Sequence, residues 1–253
     1  MGRVIRQILT ASAVIAGLFF TWELGVTLTG IPEYILPAPS AFLERFWETL
    51  PLQIEHLRIT ATTTLAGLAL ALVVGVFLAL AVVYVKALKV LVLPALAAFN
   101  GIPKVAIAPL FVIWFGLGDE PKVLLAFLMG LFPVFVNAVS GLGDVEPDVL
   151  DLAKLAGGNE WRIFHKVRLM NALPHLTDAV KVAFPLALVG SVVAEFIGGN
   201  RGVGYLILSG QASLDTSLVF ACLFAITLFT SAGIGAVVIV EEFALKWRAS
   251  RRR

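Results

Sequence analysis

Six stretches of this chain are apolar for about the length that a helix needs to cross hydrocarbon, and that property excludes most folds open to 253 residues. They run Arg6–Leu28, Thr60–Val85, Val90–Phe115, Val123–Val139, Ala179–Ile197 and Leu218–Val240. A bilayer core of about 30 Å takes about 20 residues of helix. Several of these stretches are apolar on all sides, so no single water-facing core could hide them. Apolar residues make up 59% of the chain and charged residues 14%; a soluble domain is nearer about half and about a quarter. Hydrocarbon offers backbone groups no water, so such blocks are helices. The expected fold is an all-α integral membrane protein of about six transmembrane helices.

The first block has the basic start and apolar run of a signal peptide, but bulky Trp22 and Glu23 stand where small residues would mark cleavage. It reads as an uncleaved span with Trp22 and Glu23 at its outer edge. Orientation follows from the basic residues. With the N-terminus in the cytoplasm, Arg3, Arg6, Lys86, Lys89, Lys154, Arg162, Lys166, Arg168, Lys181 and the tail Lys246, Arg248, Arg251, Arg252 and Arg253 fall inside. Only Arg45, Arg58, Lys122 and Arg201 fall outside. An even number of spans leaves both basic termini in the cytoplasm, as expected for a multi-pass protein of a bacterial inner membrane. The net charge of +2 is spread between apolar blocks and not over one basic face, which argues against a nucleic-acid partner.

Between the first two spans, Ser40 is placed to cap a helix after Pro37 and Pro39. Phe42, Leu43, Phe46, Trp47 and Leu50 share one face of it, opposite Glu44, Arg45 and Glu48. This pattern predicts a helix lying on the outer membrane surface. The chain accordingly divides into an N-terminal helix with its surface helix, 1–58, and a five-helix core, 59–253. In the second span Gly67, Ala71, Gly75 and Ala79 recur every fourth residue, a face along which another helix can approach closely.

Catalytic chemistry has no visible seat. The chain lacks a glycine-rich run ending in Gly-Lys-Ser or Gly-Lys-Thr, and Gly199, Gly202 and Gly204 do not follow a strand as a dinucleotide fingerprint would. No metal-ligand spacing or acid–base cluster stands out among His56, His165 and His175. No catalytic, metal or cofactor residue is expected. Cys222, the single cysteine, lies in an apolar block and reads as a small buried thiol.

The long inside segment 141–178 is the informative one. Val149, Leu152, Ala153 and Ala156 follow helical spacing, and Gly157-Gly158 should end that helix. Asn159 can cap a second short helix, with Glu160 favourable in its first turn. Trp161, Phe164 and Arg168 fall along one side, Ile163 and Val167 along another. Two short helices at an angle could fill a groove on a soluble partner, or rest on the inner leaflet. The residues alone leave both open.

This segment resembles the motif of binding-protein-dependent ABC importer permeases in which Glu-Ala-Ala is followed by three residues, a glycine, nine residues and Ile-x-Leu-Pro. Asp151, Leu152 and Ala153 stand at the first three places, Gly157 at the glycine, and Val167, Arg168, Leu169 and Met170 at the last four. Asp replaces Glu, Leu the first Ala, and Met the Pro. The runs ILPAPSAFL, IPKVAIAPLFVIWFGLG and GGNRGVGYLI resemble the nitrate, sulfonate and taurine branch, to which riboflavin and pyrimidine-precursor permeases also belong. The resemblance implies a type I importer permease. It implies two ATP-binding cassette ATPase subunits that hold ATP and magnesium, an extracytoplasmic substrate-binding protein, and a second permease copy, with identical copies the usual case. Coupling to the ATPase would fall to Asp151, Ala153, Gly157, Gly158, Trp161, Arg162, Phe164 and Leu169.

For the translocation pathway the candidates are Asn100, Lys104 and Glu195. A cation in mid-span costs about 2.5–3.5 kcal/mol on insertion scales, so Lys104 should face an aqueous cavity or snorkel to the inner surface. Asn100, Gly101 and Pro103 weaken the helix beside it, which is tolerated only away from lipid. Glu195, near the outer end of the fifth span, could face the pathway, hold an outer gate by pairing with Arg201, or sit at the water interface. The expected solute is small and organic or anionic. A self-contained secondary transporter or channel is the alternative, though few ionisable groups lie in the spans for ion coupling. A membrane-embedded enzyme ranks last.

Overall fold

The computed structural model describes residues 2–245, so the basic tail beyond, used above as a topology signal, lies outside the described residues. Among the described residues all regular structure is helical: α1 (Gly2–Thr29), α2 (Pro39–Glu48), α3 (Leu50–Tyr84), α4 (Lys86–Asn100), α5 (Ala108–Phe115), α6 (Glu120–Gly143), α7 (Pro147–Leu155), α8 (Glu160–Ile163), α9 (Leu169–Gly198), α10 (Val203–Ala212) and α11 (Thr216–Ala244). Five helical runs are long and apolar enough to cross a membrane: α1, α3, α6, the continuous run Glu160–Gly198, and α11.

The third apolar block is not one straight span. It breaks between α4 and α5, and the two arms are bent by 83°. Pro103 brings no N–H and disfavours helical geometry at Ile102 before it, and Gly101 is a poor helix former. A short tight turn, Lys104–Ile107, then leads into α5.

The centre of the molecule is the packing of α3, α6 and α9. Leu68, Ala71, Ala126, Val134, Ala179, Ala183, Phe184 and Ala187 form its buried cluster. The small face of α3 is used as its spacing suggests: Gly67 and Gly75 are buried, and Ala71 and Ala79 have no exposed surface. A Cβ on Gly67 would lie 2.5 Å from that of Ala126, and one on Gly190 of α9 would lie 2.7 Å from the Leu125 carbonyl oxygen. Small residues on facing helices thus let the backbones approach, and van der Waals contact holds them.

Two expectations for the first sixty residues change. The helix α2 starts at Pro39, with Ala38 in the N-cap position and no side-chain cap of its own. Proline favours the first helical position, which moves Ser40 inside the helix. There its N–H and Oγ both donate to the Glu23 carboxylate of α1, at 3.0 and 2.7 Å, so the capping group comes from another helix. The apolar face of α2 is also covered by protein. Phe42 and Phe46 are buried, Phe42 among Trp22, Phe220 and Phe224 and Phe46 against Ala221 and Ala225 of α11; Trp47 stays exposed. The division after residue 58 falls inside α3, which is unbroken from Leu50 to Tyr84.

Candidate functional site

At one end of the bundle α6 gives way to the segment 144–168. Here α7 ends where Gly157 takes φ +75°, the left-handed region that glycine enters without penalty. The N–H of Gly158 donates to the Ala153 carbonyl and that of Gly157 to the Lys154 carbonyl, both at 2.9 Å, the paired closure of a Schellman C-cap. A Cβ on Gly158 would lie 2.6 Å from the Ala153 oxygen. One glycine is needed for its φ and the next for close approach. Past the turn, Asn159 Oδ1 accepts from the Arg162 N–H at 2.9 Å and caps α8.

The second helix is not a separate piece. It runs through a widened turn, Phe164–Arg168, straight into α9, and the whole run Glu160–Gly198 is one of the membrane-length helices. Its base is fastened to the end of α6. Arg168 Nη1 donates to the Leu142 carbonyl at 2.7 Å and Asn171 Nδ2 to the Gly141 carbonyl at 2.9 Å, satisfying two acceptors that a helix C-terminus leaves open. The Arg168 guanidinium also lies 5.7 Å from the Tyr84 ring centroid, and Tyr84 meets Phe164 edge-on. Arg168, which helical spacing puts on one side with Trp161 and Phe164, is therefore an internal brace. Beside it a cavity of about 500 Å³ opens between Asp144, Glu146, Val149, Lys166, Met170 and Asn171.

Large apolar side chains are left exposed on this segment. Leu152 is 68% exposed, Leu155 86% and Trp161 70%, on a segment that also exposes Asp148, Asp151, Lys154, Glu160, Arg162 and Lys166. Of the remaining candidates here, Ala153, Gly158, Phe164 and Leu169 are half-buried, and Gly157 is exposed. Ile163 is buried, its side chain placed beside Gly158.

The candidate pathway residues separate into two places. Asn100 and Lys104 meet at the α4–α5 elbow, where Lys104 Nζ donates to Asn100 Oδ1 at 2.7 Å and to the Asn100 carbonyl at 3.3 Å. Glu195 lies apart, near the end of α9 remote from the 144–168 segment. It has no exposed surface, so it lines no open path here. Its partner is not Arg201, which is exposed; Thr60 Oγ1 donates to Glu195 Oε1 at 2.8 Å and the Gly204 N–H to Oε2 at 2.7 Å. Sequence reading missed Thr60 and Gly204 as its partners because they come from other helices. His56 Nδ1 sits 3.1 Å from both the nitrogen and the oxygen of Gly202.

At the same end Arg45 of α2 donates to Asp215 from Nε and Nη2 at 3.1 and 2.7 Å. The Asp215 contact, then Glu48, holds its guanidinium above the ordinary value. Among the described residues no group of three His, Cys, Asp or Glu side chains is placed to hold a metal ion.

The chain is similar to known proteins. The family described as binding-protein-dependent transport system inner membrane component matches residues 71–244. The riboflavin transport system permease protein RibX of Chloroflexus aurantiacus is 35% identical over 231 residues, covering 90% of this chain and 86% of that protein. The taurine transport system permease protein TauC of Escherichia coli is 27% identical over 256 residues, covering 98% and 89%. In three dimensions the chain is similar to the MetNI methionine ABC transporter in an inward-facing conformation, with TM-score 0.58 and 18% identity, over 78% of this chain and 98% of that one.

Proposed function

This chain belongs to the inner membrane components of binding-protein-dependent transport systems, and from that premise we propose how its two ends divide the work. It is the membrane permease subunit of an ATP-binding cassette importer of the sulfonate/taurine branch, with the type I fold. It is not an enzyme: the ATPase is a separate subunit. The alternative of a self-contained secondary transporter gives way to that membership.

We propose that the knob formed by α7, the Gly157-Gly158 turn and α8 seats in a groove of the ATPase. The observation that carries this reading is the exposure of Leu152, Leu155 and Trp161 on an otherwise charged segment. Apolar anchors left uncovered on a charged surface mark a contact site, and Trp dominates such contacts energetically. ATP and magnesium stay on the partner, and this chain binds no cofactor. Both termini and the 144–168 segment face the cytoplasm of a bacterial cell, where basic residues concentrate, and the solute arrives outside from a binding protein.

Two identical copies enclose the pathway, and the α4–α5 elbow with Asn100 and Lys104 lines it. A broken helix is tolerated at membrane depth only beside protein or an aqueous cavity, and a lysine there favours anionic groups. A small organic or anionic solute fits this reading, and the relatives named for riboflavin and taurine transport support it. The test is Trp161→Ala in the reconstituted complex with its ATPase and binding protein. Loss of stimulated ATP hydrolysis supports the docking assignment, and hydrolysis at the parent rate defeats it.

A further inference from the structure

We infer that the basic tail 246–253 of this same chain docks in the cavity beside Arg168, against the carboxylates of Asp144 and Glu146. The cavity holds about 500 Å³ between the loop that enters α7 and the start of α9. Val149, Val167 and Met170 give it apolar walls, and Asp144, Glu146 and Lys166 carry its charge. Both carboxylates are exposed. Among the described residues neither forms an ion pair, and nor does Lys166.

The tail has the chemistry that such a cavity takes. Residues 246–253 lie outside the described residues; their sequence, KWRASRRR, holds Lys246, Arg248, Arg251, Arg252 and Arg253 and no acidic residue. An arginine lays its methylene stem along apolar surface and keeps its charged head in water. The planar fork of that head matches a carboxylate. Walls of valine and methionine under two carboxylates suit both parts, and the single charge of Lys166 is outweighed by those two.

Position favours the same occupant. Lys181 pairs with Glu241, whereas Phe184, further along α9, meets Phe229, earlier in α11. The two helices are therefore antiparallel, and α11 runs down α9 toward the cavity. Met170, Pro174 and Lys181 share one face of α9, since the first and last are separated by about three turns. Pro174 and Leu245 are both buried. Leu245 follows Glu241 by about one turn, which leaves about 10 Å of helix down to Met170. A tail of this length reaches about 26 Å when extended. Docked, it adds a link between the end of α11 and the loop that enters α7. Nothing in this depends on what covers Trp161, so it stands or falls apart from the docking assignment.

The test pairs Val149→Cys in the cavity wall with Ser250→Cys in the tail, in the whole transporter reconstituted with its ATPase and binding protein. No charge is altered, and the native Cys222 has no exposed surface. A short bis-maleimide should join the two cysteines within one copy, giving a linked peptide by mass spectrometry and a monomer-sized band on a denaturing gel. Arg248→Gln, Arg251→Gln, Arg252→Gln and Arg253→Gln together should lower the yield about fivefold or more, the sum of several exposed ion pairs. Asp144→Asn with Glu146→Gln should lower it as much, with the ATPase still co-purifying.

No link, or a yield that survives either neutralisation, would overturn the inference. A dimer-sized band would assign the tail to the second copy. A link lost when phosphatidylglycerol replaces neutral lipid in the vesicles would assign it to the membrane surface. Each of these two results also defeats docking in the chain's own cavity.

Discussion

Gly158 lies so close over Ala153 that a Cβ on it would sit 2.6 Å from the Ala153 carbonyl oxygen. The hydrogen bond that ends α7 joins the same two residues. The turn that ends α7 is thus closed by backbone contact. This makes the turn a shape element that single substitutions can alter without touching any span.

Gly158→Val should push α7 off that contact. Expected are normal membrane insertion and an ATPase that co-purifies about tenfold less, since interface anchors carry binding energy only in their correct placement. Gly157→Ala should cost about 1–2 kcal/mol for a left-handed residue with a Cβ, with Gly157→Asn milder. Quantitative co-purification checks both, and equal yields for all three would contradict this account of the turn.

Lys104→Met should change transport and leave the complex intact. Its ammonium is held by Asn100, four residues away, and no core residue depends on it. Uptake in cells whose growth depends on this transporter should fall severalfold, with Asn100→Ala giving a smaller loss because water can replace one hydrogen bond. Wild-type uptake by Lys104→Met would remove the elbow from the path.

Filling the central seam should cost stability first. Gly190→Val places side-chain atoms where the Leu125 carbonyl and the Ala126 backbone already sit. Overpacking of this kind costs about 1–3 kcal/mol or more. A thermal-shift assay in detergent should show a clear fall in melting temperature, and a mild effect would mean that α6 and α9 can separate without penalty.

Asp215 serves two roles that different substitutions separate. Its Oδ1 accepts the Leu218 N–H at the start of α11 and its Oδ2 accepts from Arg45. Asp215→Asn keeps an N-cap residue and loses the ion pair, a half-exposed contact worth at most about 1 kcal/mol and screened by salt. Asp215→Ala also loses the cap, about another 1 kcal/mol. Melting temperatures at low and high salt should rank wild type, Asn, Ala, with the first gap shrinking in salt.

Legibility from sequence follows the range of the interaction. Apolar length located the spans because burial in lipid acts on each stretch alone. The break at Gly157-Gly158 and the cap at Asn159 could be read as well, since both are settled within four residues. The elbow was half legible: Asn100, Gly101 and Pro103 marked a weak place, but not a turn of 83°. What could not be read are pairings across the fold. Glu195 with Thr60 spans 135 residues of sequence and Arg168 with Leu142 spans 26; no local pattern encodes either. Ser40 failed as a cap for the same reason, its carboxylate partner Glu23 lying 17 residues earlier.

The helix α3 has 35 residues, about 52 Å of rod set in about 30 Å of hydrocarbon. Its first turns carry Gln53, Glu55, His56 and Arg58, polar residues that suit water and headgroups better than acyl chains. The seat that receives α10, at Thr60, lies buried within the protein at this end of the helix. A thinner or thicker host membrane is accommodated by the lean of the bundle, so acyl-chain length should alter the tilt of α3 and leave the contacts around Thr60 as they are.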